Sequence, residues 1–213
     1  MQEESDEVWY ACYGSNIKEK RFLCYIEGGT PEGAIRNFAG CANRAAPKEN
    51  HPIEINRELY FAKEAITWNG GGIGFLKPEE KSKSVTLGRQ YLITSDQFVE
   101  LVKQELKMEG ELLINFEELV EKGSFICSPG GRYGQLVCLG HRDGRPVFTF
   151  TSEHYLEEEI NAPNRAYIST IISGIREIYD LNDEELLEYF SGKTGIKGTP
   201  LETQLPEIIA TSK

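Results

Sequence analysis

The residues best placed to do chemistry in this chain are Tyr13, Gly14, Ser15 and Asn16. The apolar run Val8 to Cys12 reads as a buried strand, and a helical pattern follows from Ile17 to Tyr25. The four residues therefore form a strand-to-helix turn. Such a turn leaves backbone N–H groups unpaired at the helix start, and those donors favour a carboxylate or a developing oxyanion. Gly14 lets a ligand approach the backbone closely, while Ser15 and Asn16 add side-chain donors. Asn16 and Glu19 also have the spacing of an N-cap pair, so the same letters describe an ordinary capped turn.

A second candidate is Glu105. Thr94 to Lys107 reads as a helix with Thr94 and Gln97 at capping-box spacing, and Phe98, Leu101 and Val102 mark its apolar stripe. Glu105, seven residues after Phe98, puts a carboxylate where that stripe continues. Burial raises a carboxylate pKa toward the range useful for proton transfer. The other reading is a glutamate at the edge of the stripe with its head in water. Gly70-Gly71-Gly72 lacks the Lys-Ser/Thr and the following helix of a phosphate loop. It reads as a strand-edge turn or a close backbone approach, with neighbouring Trp68 either walling a pocket or filling core. Nucleophilic catalysis has little support: Cys12 lies in the buried strand, and no Gly-x-Ser-x-Gly elbow occurs.

The composition narrows the classes. The chain has 213 residues, 39% hydrophobic and 27% charged, and a net charge of -11. That balance disfavours nucleic acid, and no apolar run approaches membrane-spanning length. The acidic N-terminus lacks the basic and apolar regions of a secretion signal. The five cysteines are odd in number and lack Cys-x-x-Cys spacing, so reduced thiols in the cytoplasm are expected. His51, His141 and His154 are widely separated, and no metal site is expected.

These residues need elements to carry them. After an irregular stretch from Ala34 to Pro52, strand-like runs fall at Ile53 to Ala62, Ile73 to Leu76 and Val85 to Thr94. A helix is expected over Asn115 to Lys122, then strands at Ser124 to Ser128, Gly134 to Leu139 and Pro146 to Thr151. Tyr167, Ile168, Ile171, Ile172, Ile175 and Tyr179 form the apolar face of a later helix, and Asn182 with Glu185 fits a capping box before another. From Gly192 onward the composition suggests a loosely attached tail. The expectation is one α+β domain over residues 1–192, built on a mixed or barrel-like sheet, with residues 193–213 as the tail.

Tyr10-Ala11-Cys12-Tyr13-Gly14-Ser15-Asn16 resembles the Y-x-x-YGSN signature of γ-glutamyl cyclotransferases. Three later segments are similar to that family in the same order. They are Trp68-Asn69-Gly70-Gly71-Gly72-Ile73, the helix from Phe98 that ends at Glu105, and Ala162-Pro163-Asn164-Arg165-Ala166-Tyr167-Ile168. The resemblance implies a γ-glutamyl cyclotransferase-like mixed β-barrel with flanking helices and a pocket at the YGSN turn. It implies cyclisation of a γ-glutamyl compound, releasing 5-oxoproline and an amine or amino acid, without cofactor or metal. Glu105 takes the acid/base position. Tyr13, Gly14, Ser15 and Asn16 form the binding loop, and Trp68, Tyr133 and Tyr167 the pocket wall. The partner is a small-molecule substrate, with a homo-oligomer allowed. The chain departs from the family in the longer stretch between Glu105 and Tyr133 and in Ala11-Cys12 before Tyr13. A different γ-glutamylamine or amide substrate, and a non-catalytic metabolite-binding module, are the competing readings.

Overall fold

The structure is a computed structural model that describes residues 6–31, 37–80 and 84–212. Its centre is a six-stranded mixed sheet. In chain order the strands are β1 (Glu7–Cys12), β2 (Glu49–Ile55), β5 (Thr86–Thr94), β6 (Ser124–Ile126), β7 (Gln135–Arg142) and β8 (Arg145–Thr151). Their order across the sheet is β2-β5-β1-β8-β7-β6. β1 runs antiparallel to β5 and parallel to β8. Every residue from Val8 to Cys12 is buried, which requires cover on both faces of the strand. β3 (Arg57–Ala62) and β4 (Ile73–Glu80) form a separate antiparallel pair.

Among the described residues six α-helices surround the strands: α1 (Glu19–Glu27), α2 (Ser95–Leu106), α3 (Phe116–Lys122), α4 (Arg165–Arg176), α5 (Asp183–Ser191) and α6 (Pro200–Thr211). The capping boxes expected at Thr94/Gln97 and Asn182/Glu185 are both formed. A capping box satisfies two amide donors reciprocally and sets where each helix begins. α2 packs on β1 and β5 through Phe98, Leu101 and Val102, all fully buried.

Four expectations need correction. The sheet is not a closed barrel: β2 and β6 are its edges, and β3–β4 is not laddered to either. The Thr151 hydroxyl at the end of β8 accepts the Leu76 N–H and donates to the Leu76 C=O, both at 3.0 Å. A side chain thereby satisfies backbone groups on β4 that a neighbouring strand would otherwise take. Next, the run Ile53 to Ala62 breaks at Asn56 into two strands of different sheets. Asn16 and Glu19 form no cap. A 3-10 turn occupies Ser15–Ile17, and the N-cap of α1 is Lys18, with no side-chain cap bond.

The last correction concerns the C-terminal segment. Instead of a loose tail, residues 193–212 are bonded and packed. The Phe61 N–H donates to the Thr194 carbonyl at 3.0 Å, and Ile196, Leu205 and Ile208 are fully buried. α6 closes against α4 and α5. The composition hid this because its apolar residues are interleaved with Gly, Thr and Pro; here Pro200 sits at the first position of α6, where its missing N–H is not needed. Within the irregular stretch Ala34 to Pro52, residues 34–36 lie outside the described ones, and strand structure begins at Glu49.

Candidate functional site

The Tyr13-to-Asn16 turn leaves the C-terminal end of β1, beside the C-terminal end of its parallel neighbour β8. Open α/β sheets commonly place ligands at such ends. Three ties fix the turn. The Tyr13 hydroxyl donates to the Phe150 carbonyl of β8 at 2.7 Å. The Tyr91 hydroxyl of β5 donates to the Asn16 carbonyl at 3.0 Å. Arg89, with its side chain only 5% exposed, donates to the Ile17 carbonyl at 3.2 Å. The remaining Arg89 donors go to Glu177 (2.7 Å), Glu19 (3.0 Å) and Asn50 (2.8 Å), so the buried cation is fully paired.

Within the turn, Ile17 N–H donates to the Gly14 carbonyl and Lys18 N–H to the Ser15 carbonyl. The Ser15 and Asn16 amides make no such backbone bond; the Ser15 amide is directed at the Tyr167 hydroxyl, and the Asn16 amide is left open, as the sequence assigns to a helix start. One N–H of the Asn16 side-chain amide donates to the Tyr10 hydroxyl at 3.3 Å, which leaves the second as a donor. The Ser15 hydroxyl accepts from Arg21 Nε at 2.8 Å and keeps its own proton to donate.

Glu105 lies in the last turn of α2 and is half-buried. Its carboxylate reaches the hydroxyls of Tyr10, Tyr13, Tyr133 and Tyr167 electrostatically. Burial is the main cause that pushes all four phenols up, and the Glu105 charge adds to it in each case. Tyr167 is pushed up to about 12; the Gly74 and Ser15 backbone amides and the Arg21 charge hold it back from a larger rise. These phenols stay protonated at neutral pH and line the cavity as neutral hydrogen-bond groups.

One cavity of about 320 Å³ is lined by Tyr13, Gly14, Ser15, Asn16, Trp68, Glu105, Tyr133 and Tyr167, while Gly70, Gly71 and Gly72 do not line it. Tyr133 donates to the Gly74 carbonyl at 3.1 Å, and Tyr167 accepts the Gly74 N–H at 3.0 Å, so two wall tyrosines grip β4 at one residue. Trp68 stands on a 3-10 turn (Ile66–Trp68) with its ring centroid 4.9 Å from that of Tyr167. Gly71 and Gly72 pack against Asn164 and Asn161, and Gly72 N–H donates to the Ala162 carbonyl at 2.9 Å. The glycines therefore allow one backbone to approach another. No residue of 108–131 lines the cavity. That stretch forms α3 and β6, with Phe116 packed on Phe98 and Phe148.

The sequence reading missed Arg21, Lys107, Arg132 and Asn164, which also line the cavity. Arg21 carried a usable signal. It precedes Tyr25 by four residues and so shares a stripe of α1 with a buried aromatic, the same logic that marks Glu105. Arg132 carried none, because it sits outside periodic elements, and Lys107, the last residue of the expected helix, is instead its left-handed C-cap. Cys12 is inert as expected: burial pushes its thiol up to about 12, and its Sγ donates to the Arg89 carbonyl at 3.2 Å. Among the described residues no three His, Cys, Asp or Glu side chains form a group able to hold a metal ion. Among them, too, no helix is long and apolar enough to cross a membrane.

Sheet order, turn and cavity define an α+β fold with a small-molecule-sized chamber at the end of two parallel strands. A solved structure titled gamma-glutamyl cyclotransferase superposes with a TM-score of 0.50 and 14% identity, covering 96% of this chain and 99% of that one. A structure of an uncharacterized protein from Homo sapiens aligns with a TM-score of 0.49 and 15% identity over the same shares. The chain has the γ-glutamyl cyclotransferase-like fold. No family model matches the sequence. Among curated proteins, histone deacetylase 5 of Arabidopsis thaliana is 33% identical over 198 residues, which is 86% of this chain. The chain spans about 30% of the length of that relative.

Proposed function

We propose that this chain cyclises a γ-glutamyl compound by intramolecular aminolysis, releasing 5-oxoproline and an amine or amino acid. The observation that carries the reading is the presence of Glu105 and the Tyr13-to-Asn16 turn in the walls of one cavity. The fold of a gamma-glutamyl cyclotransferase supports it.

In this reaction the α-amine of the γ-glutamyl group attacks its own γ-carbonyl. A C–N bond forms to close the five-membered lactam, and the bond from the γ-carbon to the leaving nitrogen breaks. Glu105 accepts the proton the amine loses and returns it to the leaving nitrogen, a role typically worth roughly 10²–10⁴-fold. The Asn16 amide receives the oxyanion, at on the order of 3 kcal/mol for a well-aligned donor. The tyrosine wall holds the substrate folded, so that amine and carbonyl stay close. No covalent intermediate is needed, which suits a site whose nearest thiol, Cys12, is tied up in the sheet.

The test is incubation of the purified chain with γ-glutamyl amino acids, γ-glutamylamines and glutathione, reading 5-oxoproline release. Failure to release it from any of them removes the reading. A second reading, a non-catalytic metabolite-binding module, draws on the relative named histone deacetylase 5, in which a similar unit makes up 30% of a longer protein. Ligand-induced thermal stabilisation without product would favour that module.

A further inference from the structure

We propose that Arg21 binds the α-carboxylate of the γ-glutamyl group and makes that carboxylate a requirement for filling the cavity. The inference rests on the cyclotransferase reading for the identity of the ligand.

Arg21 stands in the first turn of α1 and lines the same cavity as Glu105. It is held on one edge and one face. Its Nε donates to the Ser15 hydroxyl at 2.8 Å, and its guanidinium carbon lies 4.7 Å from the centroid of the Trp68 ring. Neither terminal amino group donates a hydrogen bond to a described residue, and no described carboxylate pairs with it. A guanidinium anchored in this way presents a fork that matches a carboxylate with two parallel hydrogen bonds, and its orientation is set in advance. This distinguishes it from Arg89, whose donors are all taken, and from Arg132, which is exposed and tied to the Glu64 carbonyl at 2.9 Å.

The second observation is the placement of charge. Arg21, Glu105 and Tyr167 line one chamber, and the cation and the anion act on the Tyr167 hydroxyl in opposite senses. The α-carbon of a γ-glutamyl group carries an amine and a carboxylate side by side. Turning the amine toward Glu105 for proton transfer directs the carboxylate toward the other charge. The γ-carbonyl then lies toward the turn, and the leaving group toward the mouth at Glu64, Ile66 and Arg132.

The test is calorimetric titration of the full chain with 5-oxoproline and with 2-pyrrolidinone, the same lactam ring without the carboxylate. The wild type binds 5-oxoproline in preference to 2-pyrrolidinone. Arg21→Gln weakens 5-oxoproline roughly 10- to 100-fold, the value of a charge-assisted pair, and leaves 2-pyrrolidinone unchanged. Arg21→Lys recovers part of the loss, since it restores the charge without the fork. Equal weakening of both ligands, full retention of 5-oxoproline binding in Arg21→Gln, or no preference in the wild type overturns the proposal. Binding needs no turnover, so failure of the cyclotransferase reading shows separately, as absence of 5-oxoproline release by the wild type.

Discussion

The hydroxyl of Tyr167 stands so close to Gly14 that a Cβ at that position would come within 2.8 Å of it. α4 thus closes directly onto the turn that leaves β1, and Gly14 is required for that closure. Gly14→Ala forces one of the two to move, at roughly 1–3 kcal/mol by the usual cost of overpacking. Tyr167→Phe removes the obstructing oxygen but leaves the Gly74 N–H unsatisfied. In a double-mutant cycle read by chemical denaturation, the double variant is less destabilised than the sum of the singles. Strict additivity would show that the contact is not the reason for the glycine.

Glu105→Gln keeps the size of the side chain and removes its ability to exchange a proton. The expected result is an unchanged fold, retained 5-oxoproline binding and a kcat lower by roughly 10²–10⁴. Single-turnover assays of 5-oxoproline formation measure this, and undiminished turnover would remove Glu105 from the mechanism.

Thr151→Val replaces the hydroxyl that serves both backbone groups of Leu76 with a methyl of similar shape. Two buried backbone groups lose their partner, at about 1–3 kcal/mol for each group left unsatisfied. Hydrogen exchange at Leu76 and the adjacent β3–β4 amides accelerates more than exchange in β1 and β5. Uniform acceleration would mean that the hydroxyl does not hold the hairpin.

Alkaline pH destabilises the fold through its buried thiols. Cys12 and Cys41 are pushed by burial from 9.0 to about 12, and Cys127 to about 11. Because the folded values lie above the unfolded one, the protonated thiols contribute stability that is complete below pH 9 and lost as pH rises toward 12. Cys12→Ala therefore shows a shallower fall of stability than wild type across that window. Denaturant titrations at a series of pH values check it, and parallel curves would rule out the burial of Cys12 as a cause.

Much of the fold was legible in local signals. Capping boxes at Thr94/Gln97 and Asn182/Glu185, the apolar run of β1 and the turn glycines depend on neighbours a few residues away, and the structure forms them where the sequence places them. The candidate site was legible for the same reason: Glu105 breaks an apolar stripe at a helix end, and Tyr13 to Asn16 interrupt a buried strand.

Tertiary structure alone decided what depends on partners distant in the chain. The link between β8 and the separate β3–β4 pair is made by the Thr151 hydroxyl reaching Leu76, 75 residues away. The final segment became an anchored helix because Phe61 and α4 offered it a place to bond and pack. The turn keeps the Asn16 amide open because Tyr91 and Arg89 of β5 hold the Asn16 and Ile17 carbonyls, and Arg21 faces the cavity because Ser15 and Trp68 hold it there. Local periodicity states which face a residue occupies; it cannot state what that face will meet, since the partner is fixed by packing free energy summed over the whole chain.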